Sequence, residues 1–138
     1  YDSSLIVRDG KYVTVADTEG DSFLGGRDID KAISVYISKK HNLKFPLSAD
    51  FLATIKEESN SKGRESFNVM DESGRLVTVK ITREELDTCI EPFSIRSLRI
   101  LNNMVVRNQV KSGALFLVGG SSLLLKIQKD VQSYAHNI

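Results

Sequence analysis

The stretch "ALFLVGGSSLLLKIQKDV", Ala114 to Val131, constrains the fold more than any other part of the chain. Its apolar start predicts a buried strand, the pair Gly119-Gly120 predicts a tight turn, and the periodic pattern that follows predicts a helix. A glycine-rich turn between a strand and a helix is a common way to bring backbone N–H groups up to a phosphate or sugar. A turn that only reverses the chain has the same pattern. This stretch alone therefore leaves both interpretations open.

Length, composition and charge limit the class of protein. A chain of 138 residues can form one domain with a core and is too short for two ordinary domains. The hydrophobic fraction of 41% and the charged fraction of 27% exclude a disordered chain. The net charge of +1 gives no electrostatic basis for binding nucleic acid, and no apolar run reaches transmembrane length. We therefore expect no direct nucleic-acid contact and no membrane insertion.

The single cysteine and the two histidines do not predict a metal site or a nucleophile. Cys89 excludes an internal disulfide and suits a reducing compartment. Because it falls on an amphipathic segment, we interpret it as a small core residue. His41 and His136 have no Cys or His at ligand spacing, so no metal ligands are predicted. His41 is expected to interact with the dipole at a helix C-terminus.

The hydrophobic pattern predicts two β-hairpins with helices between and after them. The hairpins should turn at Asp9-Gly10 and near Ser73-Gly74. Helices are predicted from near Ile29, from Ala49 behind a Ser48 cap, from a capping box at Thr82 to Glu85, and from Leu124 to Tyr134. Asp28 and Asp30 are interpreted as first-turn capping charges of the first helix. This order of elements is typical of α/β or α+β proteins.

The longest predicted helix should run from the capping box to about Lys111. Pro92 lacks an N–H, so it should kink this helix or restart it as a second one. A last strand is predicted at Leu115 to Val118, paired with the first hairpin. The helical stripe predicts five core residues: Leu86, Ile90, Phe93, Leu98 and Leu101.

Three motifs resemble the ATPase domain of the heat shock protein 70 family. "GDSFLGGRDIDKAI", Gly20 to Ile33, resembles the family's "GD-x-x-LGG-x-D-x-D" signature, and "FLVGGSSLLLKIQKDVQ" resembles its late "LVGGS" turn. "ITREEL" matches the start of the family's long helix between them. The motifs occur in the family's order and cover essentially the whole chain. The short "LGGRDID" link and "PFSIRSLRIL" with its proline look like the homologues encoded by closteroviruses.

This resemblance implies a fold. It is the α/β fold of an actin-like ATPase (ribonuclease H-like) lobe II with an α+β outer insertion, formed by residues 1–138 as a single fragment. Residues 1–25 and 92–138 would form the inner ribonuclease H-like part, and residues 26–91 the outer insertion that closes over the adenine. The opening Tyr1-Asp2 takes the place where the family's second phosphate loop ends. We therefore expect the rest of the protein to lie on both sides of this chain.

The resemblance also implies nucleotide-binding residues. They are Gly119, Gly120 and Ser121 of the turn and Lys56 and Asn60 of the outer helix, with Gly25, Gly26, Ser122 and Leu123 as further members of the same motifs. Asn60 replaces a serine of the family. Ala53 stands where the family has a glutamate that meets the ribose, and Leu123 where it has an arginine that stacks on the adenine. Losing the stack costs about 0.5–2 kcal/mol and losing the charged hydrogen bond about 1.5–3 kcal/mol.

Two functions follow from the resemblance. In the first, the chain contributes one wall of the cleft that binds ATP or ADP with Mg²⁺ in the full-length protein, and the family's phosphate-loop and catalytic residues are absent from this chain. The fragment itself would hold no catalytic residue and no metal ligand, and would bind nucleotide weakly or not at all. In the second, it is a non-catalytic protein-interaction module of a viral homologue that serves virion assembly and cell-to-cell movement. Protein partners would be co-chaperones, clients or viral coat proteins, in the host cytoplasm or the virion.

Overall fold

The computed structural model describes residues 1–137 and has a mixed α/β architecture. Its elements, in chain order, are β1 (Asp2–Asp9), β2 (Tyr12–Gly20), α1 (Gly26–His41), α2 (Ala49–Lys62), β3 (Ser66–Met70), β4 (Leu76–Lys80), α3 (Arg83–Arg107), a 3-10 turn (Gly120–Leu123) and α4 (Leu125–His136).

The two hairpins form two separate antiparallel sheets. β1 pairs with β2, with a shift in register between Leu5 and Ile6, and β3 pairs with β4 in an unbroken register. The turn residues Gly10 and Gly74 adopt φ values of +57° and +81°, a backbone conformation that favours glycine. This arrangement confirms the two predicted hairpins and the prediction that they do not share a sheet.

The prediction of a strand at Leu115 to Val118 is wrong. Within residues 1–137 this segment pairs with neither hairpin, and the side chains of Phe116 and Val118 are 82% and 87% exposed. A strand needs a neighbour that accepts and donates its backbone hydrogen bonds. A short apolar run shows a tendency to be extended, but it does not identify that neighbour. The predicted pairing of this segment with the first hairpin is therefore wrong as well.

The core lies between helices α1, α2 and α3 and one face of the β3–β4 sheet. Phe67 of β3 meets Phe51 of α2 edge to face, with ring centroids 6.5 Å apart. Cys89 is 8% exposed and packs in this core, as predicted. The apolar residues that are essentially fully buried are Ile33, Ile37, Ile55, Phe67, Val79, Ile81, Leu86 and Ile90.

Helix α3 begins at the predicted capping box. Glu85 N donates to Thr82 Oγ1 at 3.2 Å, and Thr82 N donates to Glu85 Oε2 at 2.8 Å, which satisfies two otherwise unpaired backbone donors. The helix continues through Pro92 as one element to Arg107. The predicted alternative of a second helix starting at Pro92 is therefore wrong, and the helix ends earlier than the predicted Lys111.

The core residues predicted on α3 are only partly correct. Leu86 and Ile90 are fully buried, whereas Phe93, Leu98 and Leu101 are half-buried, and Met104, which was not predicted, is 3% exposed. The cause is a change of neighbours along the helix. Leu86, Cys89 and Ile90, in the first half of α3, belong to the same core cluster as residues of α1 and α2, while the helix also contacts β1, β2 and α4.

The β1–β2 hairpin is attached to α3 by polar contacts. Arg107 Nε donates to Asp17 Oδ2 at 2.8 Å, and Arg107 Nη1 lies 2.9 Å from Glu19 Oε2. At the open end of the hairpin, Tyr1 Oη donates to Ser97 O at 3.1 Å. Three aliphatic side chains of the hairpin remain more than 60% exposed: Ile6, Val13 and Val15.

Candidate nucleotide-binding site

The glycine turn predicted from sequence is present and open to solvent. Gly119 adopts φ +90°, and Ser122 N donates to Gly119 O at 3.1 Å to close the 3-10 turn. A Cβ atom built on Gly119 or Gly120 would meet no atom within 4 Å. The backbone of this turn is therefore accessible to a ligand.

Three elements that are distant in sequence meet beside this turn. A Cβ atom on Gly26, the first residue of α1, would lie 3.3 Å from Lys56 Nζ and 3.4 Å from Ser121 Oγ. These distances are at the lower end of van der Waals contact. The absence of a side chain at Gly26 thus allows α1, α2 and the turn to approach one another, and the structure brings together three residues predicted as site members.

Lys56 is held in an ion pair that was not predicted. Its Nζ lies 2.7 Å from Asp30 Oδ1, and the two side chains are only 14% and 17% exposed. Lys56 Nζ also donates to Gly26 O at 3.3 Å. The interpretation of Asp30 as a capping charge is therefore wrong, because its carboxylate pairs with Lys56 instead. A phosphate or ribose that contacts Lys56 would have to share this ammonium with Asp30.

The acidic residue that does cap α1 is Asp28. Its Oδ2 accepts from Gly25 N at 3.0 Å, as expected for a first-turn carboxylate. Gly25 has an extended backbone, with φ −132° and ψ −176°. Gly25 therefore precedes the helix and takes part in its cap, next to the residues that surround Lys56.

Asn60 contacts the exit of the turn. Its Nδ2 donates to Leu123 O at 2.9 Å, and its Oδ1 accepts from Leu125 N at 2.9 Å. Asn60 is 8% exposed, and its backbone carbonyl accepts from Arg83 Nη2 at 2.8 Å. Both ends of the carboxamide are thus occupied by the protein backbone.

The two positions that depart from the family pattern differ in exposure. Leu123 is 68% exposed, whereas the next residue, Leu124, is 4% exposed and packs in the core. Ala53 is half-buried on α2.

Ser122 Oγ donates to Gly119 O at 2.5 Å, so this hydroxyl stabilises the turn.

Asp30, Arg83 and Gln128 contribute to the site without having been predicted as members. Gln128 Nε2 donates to Ser122 O at 2.9 Å, which connects α4 to the turn. The Asp30–Lys56 and Arg83–Asn60 contacts join residues more than 20 positions apart. Sequence patterns that rely on local spacing do not predict such pairs, so they are found only in the structure.

Other reactive side chains are accounted for by the fold. Burial, with a smaller contribution from the charge of Glu85, raises the pKa of the Cys89 thiol to about 11, which keeps it protonated and unreactive. His41 Nε2 accepts from Lys80 N at 3.0 Å, so this ring binds the end of β4.

In residues 1–137, no group of three or more His, Cys, Asp or Glu side chains could hold a metal ion. None of the helices described here is long and apolar enough to cross a membrane.

Comparison with known proteins places the chain in a family. The family model for Hsp70 protein matches residues 1–137. The chain is 48% identical over 135 residues to Movement protein Hsp70h of Lettuce infectious yellows virus, covering 98% of this chain and 24% of that protein. It is 30% identical over 136 residues to Movement protein Hsp70h of Grapevine leafroll-associated virus 3, covering 95% and 24%. It is 28% identical over 143 residues to Chaperone protein DnaK of Stenotrophomonas maltophilia, covering 90% and 22%.

The chain therefore belongs to the Hsp70 family, whose members have an actin-like ATPase fold and bind ATP or ADP with Mg²⁺. Within that family it is similar to closterovirus proteins named Movement protein Hsp70h, which confirms the resemblance drawn from its motifs. The chain spans about a quarter of the length of these relatives.

Proposed function

We propose that this chain forms one wall of the adenine-nucleotide cleft of an Hsp70-family ATP-binding domain. The observation that carries the proposal is the meeting of Gly26, Lys56 and Ser121 beside an open glycine turn. Family membership supports it, because the turn and α1 belong to the motifs that resemble the family's nucleotide-contacting parts.

The turn supplies the contacts that a phosphate or ribose needs. The exposed backbone at Gly119 and Gly120 offers N–H donors without side chains in front of them. Lys56 offers a positive charge next to the Ser121 hydroxyl. These groups fit one side of a nucleotide.

We expect the affinity of this chain alone to be weak, in the millimolar range, with no measurable ATP hydrolysis. Leu123 does not provide an adenine stack, Ala53 does not provide a ribose acceptor, and Lys56 is shared with Asp30. A partial set of contacts does not offset the entropy lost when a ligand is immobilised.

The division of the chain into an inner part, residues 1–25 and 92–138, and an outer insertion, residues 26–91, belongs to the same proposal. The separate β1–β2 and β3–β4 sheets support it. The boundary at residue 92 would fall inside the uninterrupted helix α3.

The proposal is tested by restoring the two missing contacts. In the full-length gene product, the double variant Ala53→Glu, Leu123→Arg should bind ADP at least about tenfold more tightly in isothermal titration, since it regains a stack and a charged acceptor. Leu125→Arg is the matched control for the arginine, because it adds the same side chain two residues away at a half-exposed position of α4. No ADP binding by the parent protein and no gain in the double variant would overturn the proposal.

A second candidate is a protein-interaction module that serves virion assembly and cell-to-cell movement. Two relatives carry the name Movement protein Hsp70h, and the exposed apolar side chains Ile6, Val13 and Val15 offer a surface for a protein partner such as a coat protein or co-chaperone. Such a role would be carried out in the host cytoplasm or on the virion.

The second candidate is tested by separating nucleotide binding from movement. Gly120→Leu fills the open approach to the turn, where no atom lies within 4 Å of the added Cβ, so the fold should tolerate it while nucleotide binding is blocked. A tagged virus that carries Gly120→Leu and still moves between cells would support the interaction module. Loss of movement would favour a role that depends on nucleotide.

A further inference from the structure

We infer that Asn60 is a positioning residue of the glycine turn. Its carboxamide binds α2 to the C-terminal end of the turn, and by fixing the turn it raises nucleotide affinity without contacting the nucleotide. This inference rests on the proposed function and changes the role that the family resemblance gives to Asn60.

The geometry of the carboxamide carries the inference. Asn60 Nδ2 donates to Leu123 O and Asn60 Oδ1 accepts from Leu125 N, both at 2.9 Å. The two backbone groups flank Leu124, whose side chain is buried in the core. A carboxamide carries a donor and an acceptor in one plane, so it can bind both groups at once. A serine hydroxyl also has a donor and an acceptor, but it carries both on a single oxygen of a shorter side chain, so it does not span the two backbone groups as the carboxamide does.

The Leu125 amide has a particular need for this acceptor. It is the first N–H of α4, and the first four N–H groups of a helix have no partner within the helix. The N-cap position of α4 is Leu124, which has no side-chain acceptor to offer. Asn60 therefore supplies from α2 the cap that the α4 sequence does not provide.

The same helix also contacts the other end of the turn. Lys56 lies one helical turn before Asn60 on α2, and its Nζ is close to Gly26 and Ser121. Asn60 is itself fixed, since its carbonyl accepts from Arg83 Nη2 at 2.8 Å. α2 thus lies near Ser121 at the start of the turn and is hydrogen-bonded to Leu123 at its end, and release of that bond would let the exposed glycines move relative to Lys56.

Direct contact with the nucleotide is the competing role, and the two roles predict different losses. Beyond its bonds to Leu123 O and Leu125 N, the carboxamide keeps one N–H donor and one oxygen lone pair. If Asn60 contacts the base, its removal should weaken the binding of ADP more than that of IDP, which differs from ADP only in the base. If it positions the turn, both ligands should weaken by the same factor.

The experiment uses the full-length gene product with Asn60→Ala, Asn60→Asp and, as a matched control, the exposed neighbour Ser61→Ala. The first measurement is amide hydrogen exchange of peptides covering residues 119–127, without nucleotide. Asn60→Ala removes both hydrogen bonds and should raise exchange by more than about tenfold, which is the value of losing one of them. Asn60→Asp keeps the acceptor for Leu125 N and loses the donor to Leu123 O, so it should give an intermediate increase, and Ser61→Ala none. Equal denaturation midpoints exclude general unfolding.

The second measurement is the Kd of ADP and of IDP for the same variants. We expect Asn60→Ala to weaken both by more than about tenfold, matching the loss of protection. Unchanged exchange in Asn60→Ala, or a loss confined to ADP, would overturn the inference. If the parent protein does not bind ADP, the proposed function is overturned, and so is the inferred effect of Asn60 on nucleotide affinity. The exchange data then test only whether the Asn60 carboxamide stabilises the turn.

Discussion

Lys40 Nζ lies 2.8 Å from each carboxylate oxygen of Glu85, which joins the last turn of α1 to the start of α3. Lys40 also donates to Lys80 O at 3.1 Å, so the same ammonium binds the end of β4. The Lys40 contact and the N–H of Thr82 hold the pKa of Glu85 at about 2, below its usual 4.5. Three core elements therefore meet at one ion pair.

This contact predicts a specific acid sensitivity. Because the pKa of Glu85 is lower in the folded chain than in the unfolded one, its contribution to stability is complete above pH 4.5 and is lost as the pH falls toward 2. The contribution is about 1–3 kcal/mol, reduced by partial exposure of the pair. Glu85→Gln should flatten the fall of the urea midpoint between about pH 5 and 2.5. Glu84→Gln, at an exposed neighbour, is the control, and equal slopes in both variants would contradict the assignment.

A second prediction concerns the two halves of α3. Leu86→Ala removes a fully buried side chain and should lower the free energy of unfolding by about 2–5 kcal/mol. Leu98→Ala removes the same atoms from a half-buried position and should cost less than about 2 kcal/mol. Denaturant midpoints of the two variants check this. Equal losses would show that the hairpin side of α3 is as tightly packed as its first half.

Sequence patterns predicted the features whose causes are local. The Ser48 cap and the Thr82 capping box form as expected, because the side chain and its backbone partner are only three residues apart. The strand at Leu115 to Val118 and the burial of Leu98 were wrong, because both depend on which distant element lies alongside. The hydrophobic periodicity and the secondary-structure propensity of a segment contain no information about which distant element packs against it.

The candidate site follows the same division. The family motifs identified Lys56 and Ser121, and the structure brings them together. The motifs did not show that Lys56 is paired with Asp30 or that Asn60 binds the turn backbone. These contacts depend on the crossing of α1, α2 and the turn, which no single stretch of sequence encodes.

Pro92 gives a third prediction. It lies inside α3 with no N–H to donate to the carbonyl of Thr88, and its side chain is exposed. Pro92→Ala restores that donor and removes the ring, so it should raise the free energy of unfolding by about 1–3 kcal/mol. Arg99→Ala, at an exposed position of the same helix, should change it by less than about 0.5 kcal/mol. A destabilised Pro92→Ala variant would indicate that the helix depends on a bend at this point.

The last prediction separates the two glycines of the turn. Gly119 adopts φ +90°, which side chains disfavour, whereas Gly120 does not have a positive φ and neither position has an atom within 4 Å of an added Cβ. Gly119→Ala should therefore destabilise by about 1–2 kcal/mol through backbone strain alone, and Gly120→Ala by less than about 0.5 kcal/mol. Hydrogen exchange of residues 119–127 should rise in Gly119→Ala and stay unchanged in Gly120→Ala. Similar behaviour of the two variants would mean that the turn relaxes to a conformation that any residue adopts, and the positive φ would then not be a constraint on this site.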